Sequence, residues 1–120
     1  MTASTVLIVD DSAVDLENLK RIVSQGGYKV ITASDGADAC QKAKSHKPDV
    51  ILMDVVMDGM DGFEACRSIT NEPATQAIPV IFVTSKNQKA DRIWAELQGG
   101  KGVIPKPYTS QQILDTIASV

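Results

Sequence analysis

Four stretches of this sequence end in side chains that could do chemistry together. Asp10 and Asp11 follow Val6-Leu7-Ile8-Val9, Asp54 follows Val50-Ile51-Leu52-Met53, Thr84 follows Val80-Ile81-Phe82-Val83, and Lys106 lies just past Val103-Ile104. Unbroken β-type apolar runs read as strands buried on both faces, as in a parallel sheet. Polar residues just beyond the carboxyl ends of such strands share one edge and meet in one crevice. Three carboxylates in a crevice repel one another, so the site calls for a cation. Mg²⁺ suits an all-oxygen site that combines carboxylates, water and a phosphate oxygen. Asp11 and Asp54 are the expected direct ligands, and Asp10 is expected to act mainly through water. A backbone carbonyl just after Asp54, best placed at Val56, would add another oxygen. A carboxylate beside such an ion can accept a phosphoryl group. Asp54 is therefore the residue expected to change covalently. Lys106 would neutralise the phosphoryl oxygens opposite the metal, and the Thr84 hydroxyl would sense them by moving toward them. New charge and new acceptors make a switch when a neighbouring element has two arrangements.

The elements that must hold these residues follow from the rest of the pattern. After the strand Val6–Val9, Ser12 sits as a helix N-cap, and Leu16, Leu19, Ile22 and Val23 recur at helical spacing up to Gly26-Gly27. Tyr28 to Thr32 reads as a second strand, weakened by Lys29. Ser34-Asp35-Gly36 is a turn, and Ala37, Cys40 and Ala43 form a helix face that ends before Pro48. Val50 to Met53 is a fully apolar and hence central strand, and Val55 to Gly62 is a loop able to approach a ligand closely. A third helix runs through Phe63, Cys66 and Ile69. Val80 to Val83 is a strand, and Asn87 to Gln98 a helix with Ile93, Trp94 and Leu97 on one side, closed by Gly99-Gly100. Gly102 to Pro105 is a short strand whose proline keeps its end out of the ladder's interior. Thr109 caps a last helix with Ile113, Leu114 and Ile117 inward. Five strands alternating with five helices, joined by right-handed crossovers, give a doubly wound α/β fold with one parallel sheet covered on both faces. The expectation is a single domain over residues 1–120, with no output module after the last helix.

Composition narrows the partners. A net charge of -3 and an aromatic content of 4%, with no basic stripe, argue against nucleic acid. The opening Met-Thr-Ala-Ser-Thr has no basic start and no long apolar run follows it, so neither a targeting peptide nor a membrane span is expected. A cytoplasmic protein is the corresponding expectation. Cys40 and Cys66 lack metal or redox spacing and read as buried thiols. His46, at a helix end, reads as a solvated complement to the helix dipole.

Taken together, Val9-Asp10-Asp11-Ser12, Met53-Asp54-Val55-Val56-Met57 with Asp61-Gly62, Val83-Thr84-Ser85 and Lys106-Pro107-Tyr108 resemble the receiver domain of two-component response regulators, CheY-like in type, over almost the whole chain. The resemblance implies sheet order 2-1-3-4-5, a cis Lys106-Pro107 peptide, and phosphoryl transfer to Asp54 from the phosphohistidine of a sensor histidine kinase. Asp10, Asp11 and the Val56 carbonyl would bind Mg²⁺. It also implies that a downstream protein reads helix four, strand five and helix five, and that the chain catalyses its own phosphotransfer and dephosphorylation without being an enzyme on other substrates. A monomer is expected. Two positions depart from the family. Val103 stands where an aromatic residue commonly swings with the threonine, and Asp58 where proline is frequent. Trp94 and the loop Ser85-Lys86-Asn87-Gln88 resemble stand-alone receivers of the type IV pilus system that controls twitching motility, with other chemotaxis receivers as the alternative.

Blander readings exist for single residues. The acidic pair alone would be a solvated turn, Thr84 a helix cap, Met57 and Met60 loop packing, and Trp94 a residue packed on its own sheet. Two other functions fit a similar sheet. A hydrolase with an aspartyl-phosphate intermediate would need a general acid near its nucleophile, where Val55 and Val56 stand. A flavodoxin-type flavin carrier would need a hydroxyl- and glycine-rich phosphate loop where Asp10-Asp11 stand.

Overall fold

The computed structural model describes residues 4–120. The opening Met1 to Ala3 of the segment read above for targeting signals lies outside the described residues. The elements are β1 (Thr5–Val9), α1 (Ala13–Gln25), β2 (Lys29–Ala33), α2 (Gly36–His46), β3 (Val50–Met53), α3 (Gly62–Asn71), β4 (Val80–Thr84), α4 (Lys89–Leu97), β5 (Gly102–Pro105) and α5 (Ser110–Ala118). The strands form one sheet in the order β2-β1-β3-β4-β5, and every adjacent pair is parallel. Among the described residues no helix is long and apolar enough to cross a membrane.

Alternation along the strands divides the core into two layers. Leu7, Val9, Ile51, Met53 and Phe82 face one side, where Ala39 and Ala43 of α2, Phe63, Cys66 and Ile69 of α3 and Ala95 of α4 cover them. Val6, Ile8, Val50, Leu52, Ile81 and Val83 face the other, under Leu19, Ile22 and Val23 of α1 and Ile113 and Ile117 of α5. Both faces of the central strands are thus dry, and this is why the runs Val6–Val9, Val50–Met53 and Val80–Val83 carry no polar residue.

Helix starts are fixed by their caps. The Ser12 hydroxyl accepts from the Asp15 N–H at 3.3 Å, the Asp35 carboxylate from the Asp38 N–H at 2.7 Å, and the Asp61 carboxylate from the Glu64 N–H at 2.9 Å. The Thr109 hydroxyl and the Gln112 N–H close α5 at 3.1 Å.

The differences from the sequence expectations are local. β2 is shifted by one residue to Lys29–Ala33, with Lys29 exposed on the edge strand. Helix α4 starts later than expected and is closed by the Asp91 carboxylate, which accepts from the Gln88 N–H at 3.1 Å. Thr84 is therefore not its cap. Ile93, Trp94 and Leu97 are 51%, 48% and 69% exposed, and Ala95 is the one residue α4 buries. The expectation that Trp94 packs on its own sheet is corrected, since the side of the helix it shares with Ile93 and Leu97 faces outward. The helix lies over the thin β4–β5 end of the sheet, where Phe82 fills the space and Gly100 passes so close that a Cβ there would come within 2.7 Å of the ring. Leu114 is only partly buried, at the rim of the second layer, and Cys40 is half-buried, unlike Cys66.

Candidate functional site

The carboxyl ends of β1, β3, β4 and β5 lie side by side, and each delivers one of the residues singled out by sequence. The Asp54 N–H donates to the Val9 carbonyl at 3.0 Å, and the Lys106 N–H donates to the Thr84 carbonyl at 3.0 Å. These backbone bonds continue the ladder one step past the strands and fix where the side chains emerge.

Lys106 is the hub. Its ammonium donates to Asp10 Oδ2 at 3.0 Å, Asp15 Oδ2 at 3.1 Å and Asp54 Oδ2 at 3.1 Å. An ammonium has three hydrogens, so these contacts use its whole donor capacity. Burial alone would lower the Lys106 pKa, but its hydrogen bonds to Asp10, Asp15 and Asp54, with the Asp54 charge, outweigh burial and raise it, so the ammonium stays charged. Asp10 is 1% exposed. Its burial pushes the carboxyl above the ordinary value, partly countered by the Ser12 N–H at 2.9 Å and by Lys106.

The second Asp54 oxygen, Oδ1, accepts from the Val55 N–H at 2.7 Å. Behind it, the start of α3 lies directly against the backbone. The Gly62 N–H donates to the Val55 carbonyl at 2.8 Å, and a Cβ on Gly62 would stand 2.1 Å from the Asp54 carbonyl oxygen. Only glycine permits that approach.

Asp11 is exposed at the mouth, where its Oδ2 accepts from the Asp58 N–H at 3.1 Å. Thr84 is fully buried, and its hydroxyl accepts from the Lys86 N–H at 3.0 Å. The Lys106-Pro107 peptide is cis.

The donors at this edge are all oxygens: Asp10, Asp11, Asp54 and the backbone carbonyl of Val56. That set suits a hard divalent cation, and the excess of carboxylates over the single ammonium favours one. Among the described residues no three acidic, histidine or cysteine side chains are already gathered as a metal site. The reason is visible in the contacts, since Lys106 engages Asp10 and Asp54 while Asp11 turns to the Asp58 amide.

Sequence reasoning missed Asp15. A usable signal was present, because helical side chains lean toward the N-terminus and Asp15 is in the first turn of the helix that begins right after the acidic pair. It also missed the tie from Asn18 Nδ2 to the Tyr108 hydroxyl at 3.0 Å, which joins α1 to the loop after Lys106.

Residues 6–118 match the family model of the response regulator receiver domain, and the chain belongs to that family. Among curated relatives, the protein PilH of Pseudomonas aeruginosa is 42% identical over 115 residues, which is 96% of this chain and 95% of that protein. The chemotaxis protein CheY4 of Vibrio cholerae superimposes with a TM-score of 0.93 at 29% identity, covering 99% of both chains. The CheX-CheY-BeF3-Mg²⁺ complex of Borrelia burgdorferi matches with a TM-score of 0.91 at 29% identity, over 98% of this chain and 89% of that one.

Proposed function

We propose that this domain is a phosphorylation-dependent signalling switch in a phosphorelay. The observation that carries the reading is the Asp54 carboxylate, held at one oxygen by the Val55 amide and at the other by Lys106, at the exposed end of a buried central strand. An Asp54 oxygen attacks phosphorus of a phosphohistidine on a sensor histidine kinase. The bond from phosphorus to the imidazole nitrogen breaks, the histidine takes back the electron pair, and an acyl phosphate forms on Asp54. Lys106 follows the charge onto the phosphoryl oxygens. The Thr84 hydroxyl leaves the Lys86 amide and donates to one of those oxygens, drawing the β4–α4 loop inward.

Asp10, Asp11, Asp54 and the Val56 carbonyl would hold Mg²⁺, with Asp11 giving up the Asp58 amide to do so. When bound, the ion supplies charge neutralisation between the carboxylates and the incoming phosphoryl group. The Borrelia CheY in its complex with BeF3 and Mg²⁺ supports this assignment. Attack of water on the same phosphorus would reset the switch, so the chain acts on itself and on no other substrate.

The change is read by a downstream protein at α4, β5 and α5, where Ile93, Trp94 and Leu97 stand exposed. With Val103 on β5 there is no aromatic ring to swing, so the signal travels by displacement of the β4–α4 loop and α4 itself. The likeness to PilH, together with Trp94 and the loop Ser85–Gln88, supports a receiver in control of twitching motility or chemotaxis, and in this reading it works as a cytoplasmic monomer. Intact mass after incubation with Mg²⁺ and acetyl phosphate tests the chemistry. The native protein should gain one phosphoryl group and Asp54→Asn none. No gain in the native protein, or an equal gain in the variant, refutes the assignment.

A further inference from the structure

The contact between Lys106 and Asp15 has no part in the phosphorylation chemistry above, yet it takes up one of the three ammonium hydrogens. For Lys106 to bind a phosphoryl oxygen, one of its present partners must give way. The three carboxylates differ in what that would cost them. Asp10 is 1% exposed, and without Lys106 its charge would be left in a dry setting beside Asp54. Asp54 is the residue that carries the phosphoryl group. The Asp15 side chain is 44% exposed, so water replaces the ammonium there at little cost. Space for the exchange exists, since Asp15, Asn18, Lys106, Pro107 and Tyr108 line an open cavity of about 340 Å³.

We infer that Asp15 is a positioning residue that holds the Lys106 ammonium while Asp54 is bare and yields that place to a phosphoryl oxygen. The inference rests on the proposed function, and it makes the first turn of α1 a determinant of how readily the site accepts phosphate. Asn18, one turn further along α1, keeps this turn in register with the Lys106 loop through its bond to Tyr108. Asp15 competes with the phosphoryl group twice over, as an alternative acceptor for the same hydrogen and as a negative charge facing an incoming anion.

Removing the negative charge, and with it the stronger of the two acceptors, should tighten binding of a phosphoryl mimic. Beryllofluoride titrations at saturating Mg²⁺, followed by fluorine NMR, would compare the native protein with Asp15→Asn, Asp15→Glu and Asp54→Asn. Mg²⁺ affinity would be measured separately. Asp15→Asn is expected to bind beryllofluoride roughly twofold to fivefold more tightly, the range set by an exposed ion pair. Its Mg²⁺ affinity should stay level or fall slightly, because a nearby negative charge is gone. Asp15→Glu keeps the charge and should restore native affinity. A merely structural disturbance would weaken both ligands together. If Asp15→Asn binds beryllofluoride no tighter than the native protein, the positioning role is wrong although the switch stands. If the native protein fails to bind beryllofluoride, or Asp54→Asn binds it equally well, the proposed function falls and takes this inference with it.

Discussion

Replacing Lys106 by methionine keeps an unbranched stem and deletes the ammonium that Asp10, Asp15 and Asp54 share. Removing one partner of a buried ion pair typically costs about 3–5 kcal/mol, because the other charge stays behind without its partner. The Lys106 side chain retains 17% exposure and its Asp15 contact lies at the surface, so the lower end, about 3 kcal/mol, applies. For a chain of 120 residues, 1 kcal/mol corresponds to about 4 °C in Tm, which sets the expected fall at about 12 °C. The assay is thermal unfolding followed by circular dichroism at neutral pH, low salt and in the presence of a chelator. A second protein carrying Lys106→Met and Asp10→Asn isolates the cause. It should regain about 1–2 kcal/mol over Lys106→Met, since the stranded carboxylate is gone. If Lys106→Met unfolds within about 2 °C of the native protein, or the added Asp10→Asn recovers nothing, Lys106 is not what balances the buried carboxylates.

Two further outcomes follow from neighbouring residues. The Asp10 carboxyl is raised above its ordinary 3.8, so the folded protein binds that proton more tightly than the unfolded chain. This group's contribution to stability is therefore greatest in acid and falls as pH rises from the ordinary value through the raised one. Asp10→Asn should be more stable than the native protein near neutral pH without metal, by a margin that shrinks as the pH is lowered toward the ordinary carboxylate value. Urea midpoints across that range check it, and a margin that widens in acid refutes it. Gly62→Ala would force a Cβ to within 2.1 Å of the Asp54 carbonyl oxygen, so the loop or α3 must shift. A loss of about 1–3 kcal/mol is expected in urea unfolding, and an unchanged midpoint would show that the close approach is not enforced.

The apolar runs Val6–Val9, Val50–Met53 and Val80–Val83 were legible because a strand dry on both faces has no room for polar residues, and its first charged or hydroxyl residue marks its end. The position of the site followed from that, through strand ends that share an edge. The state of the site did not follow. Asp11 facing the Asp58 amide, Thr84 bound to the Lys86 amide and Lys106 reaching Asp15 are choices among partners at similar reach, made by three-dimensional proximity. Trp94 on helix α4 was misread for a different reason. Periodicity shows that Ile93 and Leu97 share a face, but it cannot say whether anything lies opposite that face.

That helix carries a dynamic consequence. Resistance to local opening rises with the apolar area an element buries, and the buried residues of α1 are Leu19, Ile22 and Val23 where α4 has Ala95 alone. Amide hydrogens of α4 should therefore exchange with solvent through sub-global openings, while those of β1 and β3 exchange only when the whole chain unfolds. The molecule should thus be stiff where the Asp54 carboxylate is anchored and compliant where Ile93, Trp94 and Leu97 stand exposed. Under the proposed function, a small force generated at the one would be spent as movement at the other.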